Sequence, residues 1–128
     1  MDLTAHDIAD TVLHASKTGR QIAPFTETNP GFDLAAAYRA AQSLHRRRLA
    51  MGYRAVGRKI GFTNRTIWDT YNVHAPVWAY MYDRTVESGP ETTLSGLLEP
   101  RIEPEIVLRL SRTPTPGGAA EILIDCID

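Results

Sequence analysis

The sequence predicts an α+β fold in which N-terminal helices pack on a mixed β-sheet, and three observations lead there. Apolar residues recur at helical spacing as far as Met51. The period changes at Gly52. Beyond it, runs of aromatic and branched residues at 77–82 and 101–110 read as strands. Helices first and strands afterwards is the order of an α+β domain.

Thr4 followed by Asp7 is a variant of the capping box, with Asp in place of Glu or Gln. Ala5, Ile8, Ala9, Val12 and Leu13 follow at helical spacing, and Gly19 is a natural stop, which predicts a helix over 5–17. Gln21 to Phe32 holds two prolines and a glycine and reads as an ordered loop. Asp33 caps a second helix over 34–51, whose apolar face is Leu34, Ala37, Tyr38, Ala41 and Leu44. Residues 54–60 read as a strand despite Gly57, and Thr63 or Asn64 caps a short helical turn. Strands follow at 77–82, over 92–98 in a short form, and most clearly at 101–110. A Pro/Gly-rich connector, Thr113 to Gly118, leads to a last amphipathic helix at 119–128. The chain is thus read as one domain: helical over 1–52, mainly β over 53–112, then a helix.

A length of 128 residues suits a single domain. Fourteen Lys+Arg against fifteen Asp+Glu give a net charge of -1, without the basic excess that nucleic-acid binding favours. Cys126 is the single cysteine, so no internal disulfide is expected. The N-terminus lacks the basic and apolar regions of a signal peptide, and no apolar run nears the ~18 residues of a membrane span. A cytoplasmic protein with neither nucleic-acid nor membrane partners is expected.

On a strand over 101–110, Glu103 and Glu105 would share one face, about 7 Å apart. Two such carboxylates can converge on a hard cation, Mg2+, Mn2+ or Ca2+. The same spacing is more often a solvated strand face. Lys59 lies between Gly57 and Gly61, which admit a close ligand; it can meet an anionic substrate or carry a proton, or simply face solvent. His45-Arg46-Arg47-Arg48 ends the second helix and reads as a solvated face that complements the helix dipole. The four histidines are scattered without zinc-site spacing. Trp68, Tyr71, Trp78, Tyr80 and Tyr82 are expected to pack the core or line a pocket.

Val56-Gly57-Arg58-Lys59-Ile60-Gly61-Phe62-Thr63 and Pro100-Arg101-Ile102-Glu103-Pro104-Glu105-Ile106, in this order and separation, resemble the 2-keto-4-pentenoate hydratase/4-oxalocrotonate decarboxylase family of the fumarylacetoacetate hydrolase superfamily. The helix with Asp33-Leu34-Ala35-Ala36-Ala37-Tyr38 and Gln42 resembles that family's N-terminal helix. Phe62 departs from the usual leucine, and Ala79 from a frequent glycine. The chain is shorter than family members, so the resemblance implies the N-terminal half of a barrel-like fold, truncated before a third acidic metal ligand. It implies that Glu103 and Glu105 hold a divalent metal, Mg2+ or Mn2+. It implies a catalytic role for Lys59 and substrate contacts for Lys59, Gly61 and Thr63. The activity implied is addition of water to 2-hydroxypenta-2,4-dienoate (2-keto-4-pentenoate), giving 4-hydroxy-2-oxopentanoate in aromatic catabolism. The alternatives are a 4-oxalocrotonate decarboxylase, or an inactive or partner-dependent chain. Unpaired strand edges would favour association of copies, so a homo-oligomer is expected.

Overall fold

Local signals account for the helices. Thr4 and Asp7 form the reciprocal capping box: the Asp7 amide donates to the Thr4 hydroxyl oxygen at 3.2 Å, and the Thr4 amide donates to the Asp7 carboxylate at 3.0 Å. Helix α1 runs Ala5–Thr18 and ends on Gly19, whose φ of 60° suits a glycine cap. Within the expected loop a single helical turn forms, α2, Phe25–Thr28. Helix α3, Leu34–Ala50, starts at Asp33, whose carboxylate accepts from the Ala36 amide at 2.7 Å.

The computed structural model describes residues 3–128. The chain divides into two units, one ending at Leu98 and the other spanning Glu99–Asp128. In the first unit α1 packs on α3, and the buried residues of the two helices are Ile8, Ala9, Ala40 and Ser43. Small residues let the helix axes approach closely. Arg47 of α3 reaches across to pair with Asp10 of α1.

Strands β1, Ala55–Gly61, and β2, Val77–Tyr82, form an antiparallel hairpin. Its ladder pairs Arg58 with Tyr80, Lys59 with Ala79 and Gly61 with Val77. A register shift lies between Ala55 and Gly57, where Val56 is the extra residue of a bulge. The connection holds a 3-10 turn at Arg65–Ile67 and helix α4, Trp68–Tyr71. Asn64 caps it by accepting from the Thr66 amide at 3.0 Å, one of the two caps expected. After β2, Arg54 and Asp83 close the hairpin's open end: the Arg54 amide and guanidinium both donate to the Asp83 carboxylate. These donors hold the Asp83 carboxyl below its ordinary pKa, the Arg54 amide contributing most.

Rings seat the hairpin on α3. His45 stacks on Tyr80 with centroids 3.7 Å apart, and Tyr38 stacks on Trp78 at 5.7 Å. The His45 ring nitrogen lies 2.9 Å from the Tyr82 hydroxyl, and Tyr82 is 2% exposed. Burial pushes the Tyr82 phenol up from its ordinary pKa, although the Arg48 guanidinium 4.9 Å from its ring opposes this. The run from His45 to Arg48 is therefore not a solvated face. His45 and Arg48 meet the rings of β2, Arg47 meets Asp10, and Arg46 alone of the four is exposed. Likewise the expected apolar face of α3 is incomplete. Ala40 and Ser43 face α1, whereas Leu34 stays 45% exposed.

The rest of the chain departs further from expectation. Residues 92–98, which end the first unit, form turns and irregular chain, not a strand. Arg101–Leu110 is not a strand either: residues 101–109 join no ladder, and Leu110 makes one antiparallel bridge to Ile127. Ile102 is 96% exposed and Val107 91%. Among the described residues the sheet is thus an antiparallel pair rather than a mixed sheet. A branched run needs a neighbouring strand for its ladder, and Pro104 removes a donor besides. Helix α5, Ala120–Ile124, is shorter than the expected 119–128. Around it the Ser111 amide donates to the Cys126 carbonyl at 2.8 Å, Arg109 pairs with Asp128, and Cys126 is buried.

Candidate functional site

Residues opposite one another in an antiparallel ladder share a face. Arg58 lies opposite Tyr80, which stacks on α3, so Arg58 faces that helix; its guanidinium is 5.1 Å from the Trp78 ring and 5.3 Å from the Tyr80 ring. Lys59 lies opposite Ala79 and so projects from the other face of the hairpin, half-buried. Its neighbours on that face are Gly57, Gly61, Val77, Ala79 and Met81. A methyl group built on Gly57 or Gly61 would meet no other atom within 4 Å, so the space beside Lys59 is open.

Immediately after β1 the chain turns sharply. Phe62 takes a φ of 59°, the left-handed region, where a bulky residue costs on the order of 1–2 kcal/mol. Two contacts hold it there. The Trp68 indole N–H donates to the Phe62 carbonyl at 2.9 Å, and the Phe62 ring meets Tyr71 edge to face at 5.7 Å. The expected substrate residues Gly61 and Thr63 flank this turn, Gly61 half-buried and Thr63 exposed. The strain has no signature in sequence, because phenylalanine is an unusual choice for a left-handed position.

A groove lies on the opposite face. It has a volume of about 680 Å3 and runs between α3 and the hairpin, past Tyr38, Arg39, Gln42, Arg58, Trp78 and Tyr80. None of the residues singled out for chemistry lines it. Trp78, Tyr80 and Tyr82, expected to pack the core or line a pocket, do line it, and their period-2 placement opposite Tyr38 and His45, one heptad apart, is the signal that could have located its second wall.

Glu103 and Glu105 lie in the second unit, both exposed on the irregular segment. Without a ladder, the side-by-side geometry of a strand does not apply to them. Their donor chemistry fits a hard divalent cation, as two of its oxygen ligands. Among the described residues no group of three or more His, Cys, Asp or Glu is gathered in metal-binding fashion. No described helix is long and apolar enough to cross a membrane.

No protein-family model matches the chain. It is 35% identical over 104 residues to a 2-hydroxyhexa-2,4-dienoate hydratase of Comamonas testosteroni, covering 79% of this chain and 39% of that protein. It is 31% identical over 141 residues to a 2-hydroxypent-2,4-dienoate hydratase of Pseudomonas putida, covering 100% of this chain and 63% of the relative. In structure it matches a 4-oxalocrotonate decarboxylase from Pseudomonas putida G7, complexed with magnesium and adipate. That match has a TM-score of 0.59 and 25% identity, over 62% of this chain and 30% of the other. The chain thus spans between 39% and 63% of these two hydratases.

Proposed function

We propose, for a chain that is a relative of the 2-keto-4-pentenoate hydratase and 4-oxalocrotonate decarboxylase family, that it forms part of a divalent-metal-dependent hydratase. Its substrate is 2-hydroxypenta-2,4-dienoate, its product 4-hydroxy-2-oxopentanoate, and its setting aromatic catabolism. One geometric observation carries the reading beyond the similarity. Lys59 stands between two glycines on the hairpin face turned away from α3, with open space at both glycines.

The reaction asks for three things. The dienol gains a proton at its terminal carbon, gives up its 2-hydroxyl proton and becomes the conjugated 2-keto acid; water then adds its hydroxyl at the β-carbon and a proton at the α-carbon; the substrate carboxylate must be held throughout. Lys59 supplies the cationic Nζ that meets the carboxylate and exchanges the proton, a task that suits a half-buried lysine. The Gly61–Thr63 turn offers backbone groups and a hydroxyl beside it. Glu103 and Glu105 are the residues that would hold Mg2+ or Mn2+. Once bound, such a cation supplies Lewis acidity toward the 2-keto oxygen and carboxylate.

The finer parts of the fold belong to the same proposal. Residues 1–128 act as one part of a fumarylacetoacetate-hydrolase-like barrel, in which Arg101–Leu110 gains a strand partner and copies associate. A cytoplasmic setting agrees with the single free thiol, Cys126.

Turnover of 2-hydroxypenta-2,4-dienoate tests this, with Mg2+ or Mn2+, with chelator, and in Lys59→Met. Activity that survives chelation, or is undiminished in Lys59→Met, overturns it. The structural match to a decarboxylase favours one second reading, release of carbon dioxide from 4-oxalocrotonate. The products of the two assays separate them.

A further inference from the structure

We infer that Trp68 is a positioning residue: its indole N–H locks the left-handed Phe62 turn and thereby aims the Gly61–Thr63 backbone at the substrate. The inference rests on the reading of Gly61 and Thr63 as substrate contacts, and it deepens that reading. Phe62 sits at a φ of 59°, which a phenylalanine does not hold unaided. The hydrogen bond from Trp68 Nε1 to the Phe62 carbonyl, at 2.9 Å, fixes the orientation of the peptide that joins Phe62 to Thr63.

Trp68 is itself held. The Arg65 guanidinium lies 5.6 Å from its ring, and His74 meets it edge on at 6.5 Å. Asn64 pins the start of the same turn through the Thr66 amide and hydroxyl. A strained peptide clamped from a short helix is preorganised, and misplacing such a group by about 1 Å can cost as much as 100-fold in rate. Lys59 stands two residues before the turn, within the ladder opposite Ala79, and does not depend on the clamp for its place.

This division of labour separates the kinetic constants. Trp68→Phe keeps an aromatic ring, smaller than the indole, and loses the donor. It is expected to raise KM for 2-hydroxypenta-2,4-dienoate about 10-fold with kcat little changed, a tenth of the worst case for misplacement. A merely structural role would lower kcat through loss of folded protein and leave KM alone. Phe62→Gly removes the penalty of the left-handed turn. Trp68→Phe combined with Phe62→Gly is therefore expected to recover most of the lost KM, and Phe62→Asn, which also tolerates that region, to recover part of it.

The carbonyl carbon shift of Phe62, read by NMR, is independent of turnover, because it moves when the oxygen loses its hydrogen-bond donor. In Trp68→Phe it should move while the backbone shifts of β1 stay unchanged. If the enzyme that contains this chain hydrates nothing, the functional reading fails, and the Phe62 shift still decides the clamp. An unchanged shift and unchanged KM in Trp68→Phe, or no recovery in either double variant, overturns the inference.

Discussion

The hairpin of the first unit and the Arg101–Leu110 segment of the second carry similar residues and behave differently. Val77–Tyr82 pairs along its length with β1 and sets alternate rings against Tyr38 and His45. Ile102, Ile106 and Val107 alternate or cluster as a strand would, yet they are 96%, 89% and 91% exposed. Branched and aromatic residues fit a pleated surface that neighbours provide, and they do not create one. The first unit supplies its neighbours within fifty residues of sequence. The second unit, among the described residues, bridges Leu110 to Ile127 and pairs Arg109 with Asp128, and it supplies no strand ladder for residues 101–109.

The largest effect should come from the less ordered side of this contrast. Glu103→Gln and Glu105→Gln keep shape and remove the charge that would hold a cation, and each is expected to lower hydratase turnover about 10²–10³-fold. Metal-dependent turnover, assayed with added Mg2+ and with chelator, is the measurement. Unaltered activity in both variants would leave the second unit without a role in chemistry.

Stability should follow the opposite side. Tyr82→Ala removes a buried ring that touches His45, Tyr53 and Tyr80, at an expected cost of about 3–5 kcal/mol in urea unfolding. The neutral phenol is the favoured form in the fold. Its contribution is therefore present below pH 10 and lost as the pH rises through its raised pKa, which spectrophotometric titration alongside unfolding would follow.

A smaller effect belongs to α1. Thr4→Ala removes an N-cap worth about 1 kcal/mol. The Thr4 hydroxyl, and then its amide, hold the Asp7 carboxyl below its ordinary value. A depressed carboxyl stabilises above the unfolded pKa and ceases to do so as pH falls through the folded one. The difference between wild type and Thr4→Ala should therefore shrink below about pH 4 in thermal melts. Smallest of all, Ile106→Ala should change stability by less than about 0.5 kcal/mol, because its side chain meets solvent. A loss as large as that of Tyr82→Ala would erase the contrast between the two regions.

What was legible in the sequence divides along the same line. Thr4, Asp7, Asp33 and Gly19 act within a few residues of themselves, so their caps could be read directly. The hairpin strands were legible because turn and partner lie close in sequence. The run at 101–110 read as a strand and forms none, since pairing depends on a neighbour that its own residue types do not specify. His45 and Arg48 looked like solvated cations at a helix end, and only the rings of β2, more than thirty residues on, reveal their use. Lys59 was legible as a residue of interest through its glycines. The face it occupies was not, because that depends on how the two strands are phased.

That phase is set by one residue. Ala55 pairs with Tyr82 and Gly57 with Met81, so Val56 is the additional position that decides which side chains of β1 point where. Were it paired opposite Met81 in a regular ladder, while Arg54 and Asp83 kept the hairpin's end closed, Lys59 would fall opposite Trp78 and point into the aromatic layer. Arg58 would take its place beside the open space. Taking Val56 into the ladder would thus invert the chemistry of both surfaces of the hairpin, whereas deleting it would remove the bulge and leave the pairs from Gly57 to Gly61 in place. The connector from Thr113 to Gly118 joins no ladder and has no such leverage, so what a change of length in β1 does is governed by which pairs it keeps rather than by burial.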